Sequence, residues 1–241
     1  MNDAVAGRTL TVHCAGPGPA PCAADGSWTH AGARLRFATL DALRPRMAEF
    51  RALLDATERE RMQRFRFVRD RDRFTLAHGW LRTLLGEELA LPPDAVRFRR
   101  GPFGKPYVEG GAPSFNLSDT KDAVLVALGG AGEIGADVET MARTVDHAAV
   151  SAHYFTPEET ADITLSVDPK RRFLELWTRK EAVLKASGVG IMDDLHVLRV
   201  NAALNTCTIA HPAFVRLAAP AYHVRTWHVG ADHIVSLATV G

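Results

Sequence analysis

The order of patterned segments repeats across a glycine-rich stretch, Gly129-Gly130-Ala131-Gly132, and this constrains the fold more than any single motif. Ahead of it, residues 8–14 alternate like a strand, and residues 40–90 read as mostly helical. Short strands are expected at Val96–Arg99, Pro106–Val108, Ser114–Leu117 and Ala123–Leu128. Beyond it, Glu133–Val138 reads as a strand, 146–188 as largely helical, and 195–239 as strands again. The residues themselves do not repeat; the order of elements does. The expectation is an α+β protein of two pseudo-symmetric halves, 1–130 and 131–241, each a small antiparallel sheet packed with helices. The glycine stretch is the candidate linker, and a site at the junction of the halves follows. Residues 15–26, rich in Gly, Pro and Ala, read as a loop, and 15–35 carry no motif.

Composition narrows the function classes. A formal net charge of +1 gives no global electrostatic case for nucleic acid or a membrane surface. Three cysteines, Cys14, Cys22 and Cys207, lack the spacing of a zinc site or disulfide framework and fit a reducing, cytoplasmic setting. No apolar run is long enough to span a bilayer. Met1-Asn-Asp opens no basic stretch leading to an apolar core, so no signal peptide is expected. Of 29 basic residues only five are lysine: Lys105, Lys121, Lys170, Lys180 and Lys185. In a chain that prefers arginine, a retained lysine suggests a place for a compact ammonium.

Two acidic segments stand out. In a strand, Asp137 and Glu139 share one face while Ile134, Ala136 and Val138 share the other. The two carboxylates, roughly 6.5–7 Å apart at Cα, can converge on one cation. The alternative is a half-buried strand with a solvated polar face. An amphipathic helix is expected over 170–187, on which Trp177, Glu181 and Lys185 stack at four-residue spacing. Glu181 can serve a metal and Lys185 a phosphate; alternatively they form an ordinary surface pair. Three hard oxygen ligands and an ammonium suit Mg²⁺ against a diphosphate.

Two other pieces point to anions. Gly101-Pro-Phe-Gly104-Lys105-Pro106 is a tight turn with a lysine at its tip, and Ser114–Thr120 ends a strand in small polar residues. Together they can bind phosphate; separately they read as a surface hairpin. The run Arg59–Arg73, interleaved with Phe65 and Phe67, reads as a salt-bridged helix face or as a patch for an anionic partner. Thr57 opens a helix start, with Glu58 and Glu60 in the first turn.

In this order, the segments GPFGKPYV (101–108), SFNLSDT (114–120), IGADVE (134–139), YFTPEE (154–159) and WTRKEAVLKASGVGI (177–191) resemble the Sfp-type 4′-phosphopantetheinyl transferases. The resemblance covers roughly residues 57–200. It implies transfer of phosphopantetheine from coenzyme A to a serine of an acyl or peptidyl carrier protein, with release of 3′,5′-ADP. It implies Mg²⁺ held by Asp137, Glu139 and Glu181, with Glu181 also helping to deprotonate the carrier serine. Lys185 is then a catalytic diphosphate contact, and Lys105 and Ser118 lie near the nucleotide phosphates. Arg73, or else Arg69 or Arg71, meets the 3′-phosphoadenosine. Larger members of the family are generally monomers and serve fatty-acid, polyketide or nonribosomal-peptide synthesis. One departure is Asp119, where the family usually has histidine: an ionised carboxylate accepts hydrogen bonds and repels a diphosphate. The rival readings are a non-catalytic binder of coenzyme A or carrier protein with the same fold, and a nucleic-acid-binding module using Arg59–Arg73.

Overall fold

Largely apolar strands build a five-stranded and a four-stranded sheet, a short two-stranded pair stands beside them, and helices cover the two larger sheets. The computed structural model describes residues 7–22, 25–129, 132–190 and 195–241. Strands β1 (Arg8–Pro19), β2 (Gly26–His30) and β3 (Ala33–Thr39) lead into helices α1 (Leu40–Leu43), α2 (Met47–Leu53), α3 (Ala56–Arg64) and α4 (Val68–Leu89). Strands β4 (Phe98–Arg100), β5 (Pro106–Val108), β6 (Ser114–Asp119), β7 (Ala123–Gly129) and β8 (Ile134–Thr140) follow. Then come α5 (His147–Tyr154), α6 (Pro157–Leu165), α7 (Pro169–Ser187), β9 (Leu204–Ile209), α8 (Pro212–Leu217), β10 (Ala221–Val229) and β11 (His233–Val240).

The α+β expectation holds. One sheet has the order β2-β3-β7-β6 and is antiparallel throughout. The other has the order β8-β11-β10-β1-β9. Its β1 comes from the start of the chain and pairs parallel with β10, so this sheet is mixed and draws on residues ahead of the expected 131 boundary. The expected loop at 15–26 is therefore strand as far as Pro19. A register shift between Ala15 and Gly18 accommodates the small residues while pairing with β10 continues. The β2–β3 hairpin was not expected. Its two-residue turn uses positive φ at Ala31 (47°) and Gly32 (76°), and it buries Trp28, Leu35 and Phe37. Gly130 and Ala131 of the candidate linker, Met1-Asn-Asp, and Ile191 at the end of the fifth segment lie outside the described residues.

Each sheet has its own helical cover. Leu76, Leu81, Leu84 and Leu85 of α4 pack on β6 and β7 residues such as Phe115 and Val126. Phe173, Leu176, Val183 and Leu184 of α7 pack over the second sheet. A third apolar layer, including Leu35, Leu125, Ala136, Val138, Trp227 and Leu237, is shared by both sheets. The sheets thus meet at their edge strands β6 and β8, with this shared apolar layer on one side of the seam.

Helix ends follow local chemistry. Asp55, rather than Thr57, caps α3: its side chain accepts from Glu58 N–H, and Glu58 reaches back to the Asp55 amide. Thr156 and Glu159 form the same box at α6, which accounts for the TPEE signature. Helix α7 starts at Pro169 behind an Asp168 cap and stops at Gly188 with φ 75°.

Candidate active site

What lies at Gly135 sets the approach of α7 to β8. Gly135, Asp137 and Glu139 point to one side of β8, opposite the apolar residues. A Cβ on Gly135 would stand 2.1 Å from the Ala182 carbonyl oxygen and 2.2 Å from the Ala186 amide nitrogen. The helix backbone therefore crosses the strand in direct contact, which only glycine permits. Asp137, two residues on, lies beside the helix stripe that carries Glu181 and Lys185. From Phe173 to Ser187 every residue is buried except Trp177, Glu181 and Lys185, which are half-buried. The polar face of β8 is not solvated: Asp137 is 6% exposed and Glu139 8%.

The seam is closed by side chains of β6. Asn116 Oδ1 accepts the Ala136 N–H at 2.9 Å, and Ser118 Oγ accepts the Val138 N–H at 3.3 Å. These bonds satisfy edge amides of β8 that no strand pairs. The Ser118 hydroxyl donates to Asp137 Oδ1 at 2.8 Å, and Lys185 Nζ donates to the same oxygen at 2.6 Å. Lys185 also donates to Ser118 Oγ at 2.9 Å and the Ala136 carbonyl at 3.2 Å. The ordinary Glu181–Lys185 pair is not made; the ammonium turns to Asp137 instead.

Glu181 is left with a perturbed carboxyl. Burial, and next the charge of Asp137, raise its pKa to about 7 against the opposing pull of Lys185 and Arg143. Among the described residues, Glu181 Oε1 and Asp137 Oδ2 are buried without a hydrogen-bond partner. Glu139 is held by Arg143, whose guanidinium lies 5.7 Å from the Trp177 ring. Two desolvated carboxylate oxygens on packed elements, with a third carboxylate beside them, are a hard-oxygen set that fits Mg²⁺. No three acidic or imidazole groups among the described residues are already drawn to one point. Lys185 and Arg143 hold two of the three carboxylates, and those are the contacts a divalent cation would replace.

Next to this cluster, β6 ends at Asp119. Its Oδ2 lies 2.9 Å from Arg73 Nε, so the departure at 119 has an arginine partner. The neighbouring arginines are engaged elsewhere: Arg71 Nε donates to the Phe65 carbonyl at 2.9 Å, and Arg69 lies over the Phe67 ring. A cavity of about 370 Å³ opens beside Asp119, lined by Phe74, Phe98 and Phe115 and by Arg61, His78 and Arg100. Gly104 and Pro106 line it too, but the Lys105 side chain lies in an adjoining cleft. Its ammonium meets Glu133, the Ile134 carbonyl at 3.0 Å and the Ala186 carbonyl at 3.5 Å. The structure thus gathers Asp137, Glu181, Lys185 and Ser118, sets Glu139 and Arg73 beside them, and turns the Lys105 ammonium to Glu133 and to the Ile134 and Ala186 carbonyls at the C-terminal end of α7. Sequence reasoning did not find Gly135, Asn116 or Arg143. The one available signal was a glycine inside a strand pattern.

The seam between the two larger sheets is thus lined by Asp137, Glu139 and Glu181. Comparison with known proteins identifies the family. The chain matches the family model described as 4′-phosphopantetheinyl transferase superfamily over residues 133–238, and the model for the N-terminal region of 4′-phosphopantetheinyl transferases over 42–129. It is 35% identical to the 4′-phosphopantetheinyl transferase HetI of Nostoc over 159 residues, 63% of this chain and 67% of HetI. It is 34% identical to slr0495 of Synechocystis over 158 residues, 64% of each chain. With the 4′-phosphopantetheinyl transferase psf-1 of Bacillus pumilus it shares 33% over 153 residues, 61% of this chain and 64% of psf-1. The match spans about two thirds of the length of these relatives. The chain belongs to the 4′-phosphopantetheinyl transferase superfamily.

Proposed function

We propose that the protein transfers 4′-phosphopantetheine from coenzyme A to a serine of an acyl or peptidyl carrier protein, releasing 3′,5′-ADP, with Mg²⁺ as cofactor. One observation carries the reading: the unpartnered buried oxygens of Asp137 and Glu181 adjoin the Lys185 ammonium at the junction of the two halves. Asp137, Glu139 and Glu181 are the residues that would hold Mg²⁺, which when bound neutralises charge on the donor diphosphate. Lys185 neutralises a diphosphate oxygen and the leaving nucleotide. Glu181 is assigned to take the proton of the carrier serine, directly or through water, as the serine oxygen bonds to phosphorus. Ser118 orients Asp137 and Lys185. The cavity beside Asp119 suits the nucleotide, with aromatic walls for the base and Arg61 and Arg100 for phosphates. Arg73 is assigned to the nucleotide end, and Lys105 to the outer phosphates, which it reaches by leaving its carbonyl contacts.

The test is direct. The protein, coenzyme A, Mg²⁺ and an apo carrier protein are incubated, and the carrier is weighed by mass spectrometry. One phosphopantetheine is expected on the carrier serine. No mass gain across fatty-acid, polyketide and nonribosomal-peptide carriers overturns the reading.

A further inference from the structure

We infer that His78, locked by Glu58, contacts a phosphate of the coenzyme A nucleotide and grips it only in the protonated form of the imidazole. This rests on the transferase reading above. His78 projects from α4 into the cavity beside Asp119. The ring stacks on Phe74, one turn earlier, at 3.9 Å between centroids. Its Nδ1 lies 3.0 Å from Glu58 Oε1. Among the described residues no protein group meets the other nitrogen, Nε2.

Glu58 is held with unusual firmness for a residue beside a cavity. Fully buried Arg82 donates Nε to Glu58 Oε2 at 2.6 Å, its NH2 to Asp55 Oδ2 at 2.6 Å, and its NH1 to the Val96 carbonyl at 3.0 Å. Burial works to raise the Glu58 carboxyl. Its hydrogen bond to His78, with Arg82 and the Asp55 amide, more than offsets this and holds it below the ordinary carboxylate range. Glu58 is therefore an ionised acceptor, and His78 Nδ1 must carry the hydrogen between them.

That fixes what Nε2 can do. In the neutral ring Nε2 is a lone-pair acceptor and has nothing to offer a phosphate. In the imidazolium, Nε2–H is a charge-assisted donor. The charged groups around the ring are Asp55 at the α3 cap, Glu58 and Arg61 of α3, Arg82 of α4, Arg100 of β4 and Asp119 of β6. Arg61 and Arg100 attract phosphate at every working pH; burial raises the Asp119 carboxyl in the same cavity, against the pull of Arg73 and His78, so the His78 variants are what isolate the imidazole's share of the grip.

The experiment is calorimetric titration of 3′,5′-ADP from pH 5.5 to 8.5 into the wild type, His78→Arg and His78→Gln. Titration of the nucleotide's own phosphate is common to all three and cancels on comparison. Relative to His78→Arg, the wild type is expected to lose affinity about tenfold across the range, as fits one charge-assisted bond. Relative to His78→Gln, it is expected to bind more tightly only at the acid end. A second readout needs no substitution: the NMR titration midpoint of the His78 Hε1 proton should rise when 3′,5′-ADP saturates the wild type. Superimposable wild-type and His78→Gln profiles, or an unmoved midpoint, overturn the inference and leave the transferase reading standing. A wild type that binds neither 3′,5′-ADP nor coenzyme A overturns both.

Discussion

Lys185 Nζ stands 2.6 Å from Asp137 Oδ1 and 2.9 Å from Ser118 Oγ, so one side chain of α7 ties β8 of one sheet to β6 of the other. The residue assigned to the donor diphosphate is also a fastener of the seam. On that assignment, ligand binding and the joining of the two sheets are coupled at one ammonium.

The first prediction follows from that double role. Lys185→Met removes a partner of the buried Asp137 while keeping the aliphatic stem. The lysine side chain is 26% exposed, so the stability loss is discounted to about 1–2 kcal/mol. The KM for coenzyme A should rise about tenfold, the effect of one charge-assisted hydrogen bond. Urea denaturation and steady-state kinetics measure the two; unchanged values of both would remove Lys185 from the seam and from the site.

Glu181→Gln keeps the shape of the side chain and removes the proposed base. The turnover number should fall by roughly 10²–10⁴. Coenzyme A binding measured by calorimetry without turnover should change far less. Near-normal turnover by the Gln variant would show that another group accepts the serine proton.

The same carboxyl sets a pH dependence. Its folded pKa is raised from 4.5 to about 7, chiefly by burial and then by Asp137. Between those values the folded state binds more protons than the unfolded state, so stability falls as pH rises from about 4.5 to 7. Mg²⁺ would relieve the repulsion and displace the proton. The melting temperature of the metal-free protein should thus be lower at pH 8 than at pH 5.5 from this source, and Mg²⁺ should raise it more at pH 8. The Glu181→Gln variant should lose most of that difference. An Mg²⁺ effect equal at both pH values would speak against Glu181 as a ligand.

Much of this site was legible because it uses the two shortest-range periodicities. Two-residue spacing placed Asp137 and Glu139 together, and four-residue spacing placed Glu181 and Lys185 on one stripe. Helix α7 ends where Gly188 allows a left-handed cap. What was not legible is set by contacts distant in sequence. Nothing in residues 8–19 announces a partner at 221–228, and nothing in Lys105 reveals that it turns to carbonyls at 134 and 186. Asp55 and Thr57 are both acceptable caps in sequence; Arg82, 27 residues from Asp55, binds its other carboxylate oxygen. The reason for Gly135 appears only once a helix fifty residues later lies against it.

Gly135→Ala tests that crossing. A methyl group there would overlap backbone atoms of Ala182 and Ala186, which cannot rotate away. The helix must lift from β8, costing about 3 kcal/mol or more as overpacking of a rigid contact. It would also draw Glu181 and Lys185 away from Asp137. The variant should denature at lower urea concentration, and any folded fraction should transfer slowly even at saturating coenzyme A. A fully stable, fully active alanine variant would show that α7 does not depend on this contact.

Lys180 reads in the sequence as part of the same functional helix, yet it has no place in the site. Lys180 and Glu159 are both 0% exposed and pair at 2.8 Å. The ammonium also donates to the Leu195 and Leu198 carbonyls, and Glu159 accepts the Val200 amide. Burial lowers the Lys180 pKa against the upward pull of Glu159. The pair therefore anchors α7 to α6 and to the segment beyond residue 195. Lys180→Met would strand the Glu159 carboxylate and should cost about 3–5 kcal/mol, whereas the double change Lys180→Met with Glu159→Leu should recover part of that. Coenzyme A affinity of whatever folds should stay within a few-fold of wild type, since no site group is touched. A Lys180→Met protein of normal stability but lost coenzyme A binding would reverse the assignment and place Lys180 at the ligand.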